Sequence, residues 1–194
     1  MKKLLVLMMA LLMTVSIAAC GGDESSASAE PDVTPAVSES NPEESVELVE
    51  FTGNGITLMV PADFTSTTMD ESNGNLSVVN KENPAAITIS EKKVDSISSD
   101  DITDEVLISS ITYSGMIDGT LDRSSRYEND GGTSVVGFGQ GKLDDGSVMN
   151  TVIQFYILAD GSGYHVVSYL YEVGSDSSLE GTIEQVASSV KPAE

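Results

Sequence analysis

The chain has 194 residues and carries 31 acidic against 9 basic side chains, a formal charge of −22 with a single histidine and a single cysteine. A field of that sign repels phosphates and anionic lipid heads, which argues against nucleic-acid binding, and one cysteine leaves nothing to close an internal disulfide. The length suits one domain plus short appendages.

Residues 1–19 come first. Lys2 and Lys3 precede an uncharged apolar run from Leu4 to Ala19, which ends in Ile17-Ala18-Ala19-Cys20. A basic start, a short apolar centre and a small-residue exit read as a secretory signal, too short for a permanent span. Ile17–Cys20 resembles the lipobox of bacterial lipoproteins. That resemblance implies cleavage before Cys20, lipid on its thiol, stable attachment to a membrane and an extracytoplasmic address. Gly21 stands where an Asp would imply inner-membrane retention in Gram-negative lipoproteins. Loss of the signal removes two lysines and leaves the chain more acidic still.

From Cys20 to Glu47 there is no basic and no aromatic residue, three prolines and many Ser, Ala and Glu. One-sign charge and low hydrophobicity cannot bury enough surface to offset chain entropy, so this stretch reads as a disordered tether. As a flexible coil it would span roughly 25–30 Å.

The rest, 48–194, reads as a single strand-rich domain. Leu48–Thr52 and Ile56–Val60 flank Gly53-Asn54-Gly55 and form a hairpin that Pro61 ends; Leu76–Asn80 and Ala85–Glu91 form a second. A helix is expected over Ile102–Ile117, with Asp101 as its N-cap. A strand near Leu121–Glu128 precedes three longer ones, Thr133–Leu143, Ser147–Ala159 and Tyr164–Glu172, turned by Asp144-Asp145-Gly146 and Asp160–Gly163. Ser147–Ala159 is apolar at nearly all odd positions and at many even ones, so it belongs at the centre of a sheet covered on both faces. Ser177-Ser178-Leu179-Glu180 reads as a capping box opening a helix with Leu179, Ile183, Val186, Ala187 and Val190 on one face, stopped by Pro192. The class is α+β, an antiparallel β-sheet flanked by helices.

This order of elements, with "ITLMVPADF" closing the first hairpin and Ser188-Ser189-Val190 closing the last helix, resembles the PsbP/DcrB-like fold. The resemblance covers roughly Phe51–Lys191 and implies a PsbP-like α/β/α sandwich. Phe64 and Val190 stand where that family more often has Trp and Phe. The family shares no catalytic residues, and its members act mainly as accessory or binding proteins, so the resemblance implies fold more than activity.

Chemistry-bearing residues are sparse. His165 has no G-x-S-x-G elbow to serve and reads as a partly exposed strand histidine; without a second histidine or free thiol, zinc is not implied. Asp70–Gly74 opens like a calcium loop, but position twelve is Lys81 rather than glutamate. Asp100, Asp101, Asp104 and Glu105 suit a helix start without any metal. Gly137, Gly139 and Gly141 alternate along one strand and clear one face, either to pack a helix or to floor a ligand groove. They are the candidate pocket. No catalytic residue and no cofactor are implied. The expectation is a lipid-anchored, non-enzymatic interaction module for an envelope protein partner, or alternatively a small-molecule or lipid carrier using a groove between sheet and helix.

Overall fold

The computed structural model describes residues 46–194 except Asp176, all within one compact unit, Glu43–Glu194. The signal, Cys20 and nearly all of the tether lie outside the described residues.

Two antiparallel sheets organise the chain. Strands β1 (Leu48–Gly53) and β2 (Ile56–Pro61) pair across Asn54-Gly55. Both turn residues take positive φ, 51° and 85°, the pair of angles a two-residue hairpin demands and Asn-Gly tolerates best. The chain then enters the larger sheet as β3 (Ser66–Asp70), β4 (Asn75–Asn80) and β5 (Ala85–Ile89). Helix α1 (Asp104–Tyr113) follows, and then β6 (Asp118–Asn129), β7 (Gly132–Lys142), β8 (Val148–Leu158) and β9 (Tyr164–Glu172). A short helix α2 (Ile183–Ser188) and a two-residue strand β10 (Lys191–Pro192) close the chain. The large sheet runs β3-β4-β5-β9-β8-β7-β6, and the small one β1-β2-β10.

Each face of the large sheet has its own core. On one, Val78, Ile87, Ile89, Val136, Phe138, Val152, Tyr156, Val167 and Tyr169 pack against Ile56, Leu58 and Val60 of β2 and Leu179, Val186 and Val190 around α2. On the other, Val135, Ile153 and Phe155 meet Leu107 and Ile111 of α1 and Ile102 before it. Strand β8 lies inside the sheet with both faces covered, as its double apolar pattern required. The architecture is the helix-flanked antiparallel α+β sandwich, with the small sheet sharing one outer layer with α2.

Four local expectations are corrected. Asp101 does not cap α1: its carboxylate accepts from Ser98 N and Oγ at 2.7 Å each, closing a 3-10 turn, and Thr103 caps the helix instead. The helix ends at Tyr113 rather than Ile117, because Gly115 turns to φ +98°. The closing helix starts five residues later than the capping box suggested, with Thr182 rather than Ser177 in the N-cap position. Ser178 Oγ donates to the Asp63 carboxylate at 2.7 and 2.9 Å, and Ser178–Thr182 stay as turns. The apolar stripe Leu179, Ile183, Val186, Ala187 and Val190 is nonetheless entirely buried. Pro192 is not the stop: Ser189 ends α2, and Lys191-Pro192 pair with Thr57 and Ile56. Finally, β3 escaped the reading because four of its five residues are exposed, so it carries no burial pattern.

A buried polar network fixes α2. Gln154, wholly buried in β8, donates to Ser134 Oγ at 2.7 Å and to the Ala187 carbonyl at 2.8 Å, and accepts from the Tyr169 hydroxyl. Asn129 Nδ2 donates to the Ser188 carbonyl at 2.8 Å. These bonds satisfy carbonyls that the end of the helix leaves free.

Candidate functional site

The glycine face is occupied. A side chain at Gly137 would meet Leu121 and Leu107 at 2.9 and 3.1 Å, and one at Gly141 would meet Met116 at 2.4 Å. At Gly139 a Cβ would lie 1.9 Å from the Thr120 carbonyl oxygen and 3.0 Å from Ile111. Of the two meanings that an alternating glycine strand allows, close packing of α1, β6 and the segment that joins them accounts for all three positions. Gly139 does border an opening, on the opposite face and through its backbone.

That opening is a cleft of about 400 Å³ between β6, the sheet and the segment leading into α2, lined by Asp122, Arg123, Phe138, Asn150, Tyr171, Glu180 and Glu184 among others. A β-bulge creates its outer wall. Leu121 pairs with Gly139 but Arg123 pairs with Phe138, so one extra residue is inserted. Residues two apart share a face in a regular strand; here Leu121 joins the core under α1 while Arg123 faces the opposite side. The Arg123 guanidinium lies 3.6 Å from the centre of the Phe138 ring and pairs with Glu184. Both charged partners are about half exposed, so the pair itself contributes little to stability.

Tyr171 forms the floor. Its side chain is only 7% exposed, and its hydroxyl has no hydrogen-bond partner among the described residues. Burial pushes its pKa up, the nearby Glu180 charge pushes it further and Arg123 opposes them. The phenol therefore stays protonated, between a carboxylate and a guanidinium. Beside it, Asn150 Oδ1 accepts from Gln140 Nε2 at 3.1 Å. Among the described residues no group of three His, Cys, Asp or Glu side chains is placed to hold a metal ion.

A second cleft, about 520 Å³ and mainly apolar, opens at the other end of the sheet between Asn54-Gly55, Gly131, Leu158–Asp160 and Pro192. His165 lines it at 2% exposure, not as the partly exposed residue its strand position suggested. The residue is buried because Asn54-Gly55 folds over it, Gly55 lying against its Cε1. Its Nδ1 faces the Ser90 carbonyl at 3.3 Å, which fixes that nitrogen as the donor. Burial, and secondarily the Lys92 charge, hold its pKa below the usual histidine value. Neither ring nitrogen meets a hydroxyl or a carboxylate among the described residues, so no nucleophile–base pair forms around it.

The aspartate loops are closed by their own chain. The Asp70 carboxylate accepts from Ser72 N and Oγ and from Asn73 Nδ2, and this hydrogen bonding holds its pKa low. Asp145 is tied to Ser147 and Asp160 to Ser162 in the same manner. These are Asx turns, and their geometry is explained without a ligand.

Sequence reading placed Tyr171 only within the strand Tyr164–Glu172 and did not single out Arg123. The bulge that brings them together has no glycine or proline at Leu121–Arg123 to announce it.

No protein-family model matches the chain, and no curated protein matches it. Among solved structures it is similar to cyanobacterial PsbP (CyanoP) from Synechocystis sp. PCC 6803, with a TM-score of 0.53 and 14% identity over 77% of this chain and 93% of that one. The Ran-binding protein Mog1p of Saccharomyces cerevisiae aligns with a TM-score of 0.48 and 12% identity, over 73% of this chain and 84% of its own. LpqN, involved in cell envelope biogenesis of Mycobacterium tuberculosis, aligns with a TM-score of 0.45 and 14% identity, over 76% of this chain and 92% of its own. The likeness to CyanoP shows the fold: the domain is PsbP-like.

Proposed function

We propose that this protein is a non-enzymatic recognition module, held by lipid on Cys20 at the extracytoplasmic side of a membrane, that assists an envelope protein or complex. In this reading residues 1–19 are removed, 20–47 form the tether and 48–194 the working domain. The observation that carries the recognition role is the cleft beside the β6 bulge. It combines an aromatic floor, a charged rim and a tyrosine hydroxyl that opens to the cleft with no hydrogen-bond partner among the described residues, features that suit binding and supply no nucleophile. Anchorage rests on the Ile17–Cys20 pattern.

The test places a photo-crosslinking residue at Glu180 on the cleft rim, or at Glu71 on the far sheet edge, in cells of the native host. The reading expects one protein adduct from Glu180 that Glu71 does not give. Identical adducts from both positions, or none from Glu180, would refute it.

The carrier alternative is favoured by one observation, the apolar cleft at His165. Native mass spectrometry of the purified protein separates the two: a reproducible small-molecule mass supports cargo, a bare chain the recognition module.

A further inference from the structure

The cleft at the bulge carries more charge than it neutralises. Asp122, Glu180 and Glu184 line it, and Arg123 is its one cation among the described lining residues. Arg123 engages Glu184 and the face of Phe138, leaving Asp122 and Glu180 without an ion-pair partner among the described residues. An acidic rim alone would be a solvated surface. The second observation is Tyr171, nine-tenths buried, aimed into the same cleft and making no hydrogen bond among the described residues. A phenol lining the cleft near the Glu180 charge can accept from an N–H donor through its oxygen.

A guanidinium satisfies every one of these groups. It is planar, weakly hydrated, stacks on aromatic rings and presents a fork of donors to carboxylates. Arg123 already shows the chemistry from within the chain, its guanidinium carbon 3.6 Å from the centre of the Phe138 ring. A metal ion does not fit, because the carboxylates are not grouped to ligate one.

We propose that this cleft receives an arginine side chain of a partner protein, which competes with Arg123 for Phe138 and Glu184 and hydrogen-bonds Tyr171. This rests on the recognition-module reading and assigns the chemistry of its partner. Arg123 is then an internal occupant that weakens binding until displaced.

The test titrates the full-length chain in zwitterionic detergent with acetylated tri-arginine amide, following the ring signals of Phe138 and Tyr171 by NMR. Saturable shifts of both rings are expected. Tyr171→Phe keeps the ring and removes the hydroxyl, and should weaken binding about tenfold, as loss of a hydrogen bond to a charged group does. Arg123→Ala should tighten it about fivefold relative to Arg126→Ala, which removes an equal charge from the same strand but pairs with Asp100 elsewhere. If Tyr171→Phe does not fold, Glu180→Gln at the exposed rim takes its place, with a loss of about threefold expected.

No saturable shift, an unchanged affinity in Tyr171→Phe, or equal effects of the two arginine variants would overturn the proposal. Tighter binding of spermine than of tri-arginine would also overturn it and assign a free polyamine instead. A Glu180 crosslink that tri-arginine fails to compete would sink the arginine assignment while leaving the recognition module standing.

Discussion

Replacing Gly139 by alanine adds one methyl group, and the structure fixes where it must go. The new Cβ would stand 1.9 Å from the Thr120 carbonyl oxygen, with Ile111 Cδ1 at 3.0 Å. A side-chain tip could rotate away; a backbone carbonyl cannot move without shifting β6 against β7. Overpacking a core by a methylene typically costs about 1–3 kcal/mol, and a clash with backbone belongs at or above the top of that range. For a domain of this size, about 3 kcal/mol lowers the melting temperature by roughly 6–12 °C. Gly141→Ala meets the Met116 side chain, whose sulfur end is flexible though its Cβ is not, and should cost less, about 1–2 kcal/mol. Gly146→Ala touches nothing within 4 Å but sits at φ +88°, so only the left-handed penalty of about 1 kcal/mol remains. Urea unfolding of the three variants should therefore rank Gly139 worst and Gly146 mildest. If Gly139→Ala unfolds at the wild-type midpoint, the strand does not pack as described and the open-groove meaning of these glycines returns.

Gln154→Leu strands Ser134, the Ala187 carbonyl and the Tyr169 hydroxyl in a dry core, and should cost about 3–5 kcal/mol in urea unfolding; the double variant with Tyr169→Phe should cost less than the sum of the single changes. His165 has a folded pKa below its unfolded value, so the unfolded chain binds the extra proton and stability falls as pH drops through about 6.5, the histidine value in the unfolded chain. His165→Phe should remove that slope between about pH 5 and 7, where the depressed aspartates Asp70, Asp101, Asp145 and Asp160 contribute none, since theirs appears only below the ordinary carboxylate range. A wild-type slope surviving in the variant would assign it elsewhere. Cys20→Ser should move the protein from the detergent phase to the aqueous phase in Triton partitioning and abolish labelling by a radioactive fatty acid; unchanged partitioning would refute lipid anchorage.

What the sequence alone determined about this protein is whatever local physics dictates. Gly53-Asn54-Gly55 could be placed as a hairpin turn, and the two positive φ angles fall on Asn54 and Gly55, where they are cheapest. Ser147–Ala159, observed as Val148–Leu158, could be placed at the centre of a sheet because only a strand covered twice needs apolar residues on both sides. The buried stripe of the closing segment was equally legible, for the 3.6-residue period survives even where the helix shrinks to Ile183–Ser188. Tertiary structure decided the rest, through partners distant in sequence. Asp63 draws Ser178 away from a helix start 115 residues later, and Lys191-Pro192 leave the helix to pair with β2. Asn54-Gly55 closes over His165 and turns an ordinary strand position into a buried one. The candidate site is the clearest case: one inserted residue at Asp122 rotates Arg123 onto Phe138, and the fold of the closing segment brings Glu180 and Glu184 to Tyr171. No local pattern encodes that meeting, because each of these residues, taken with its chain neighbours alone, has an ordinary reason to be where it is.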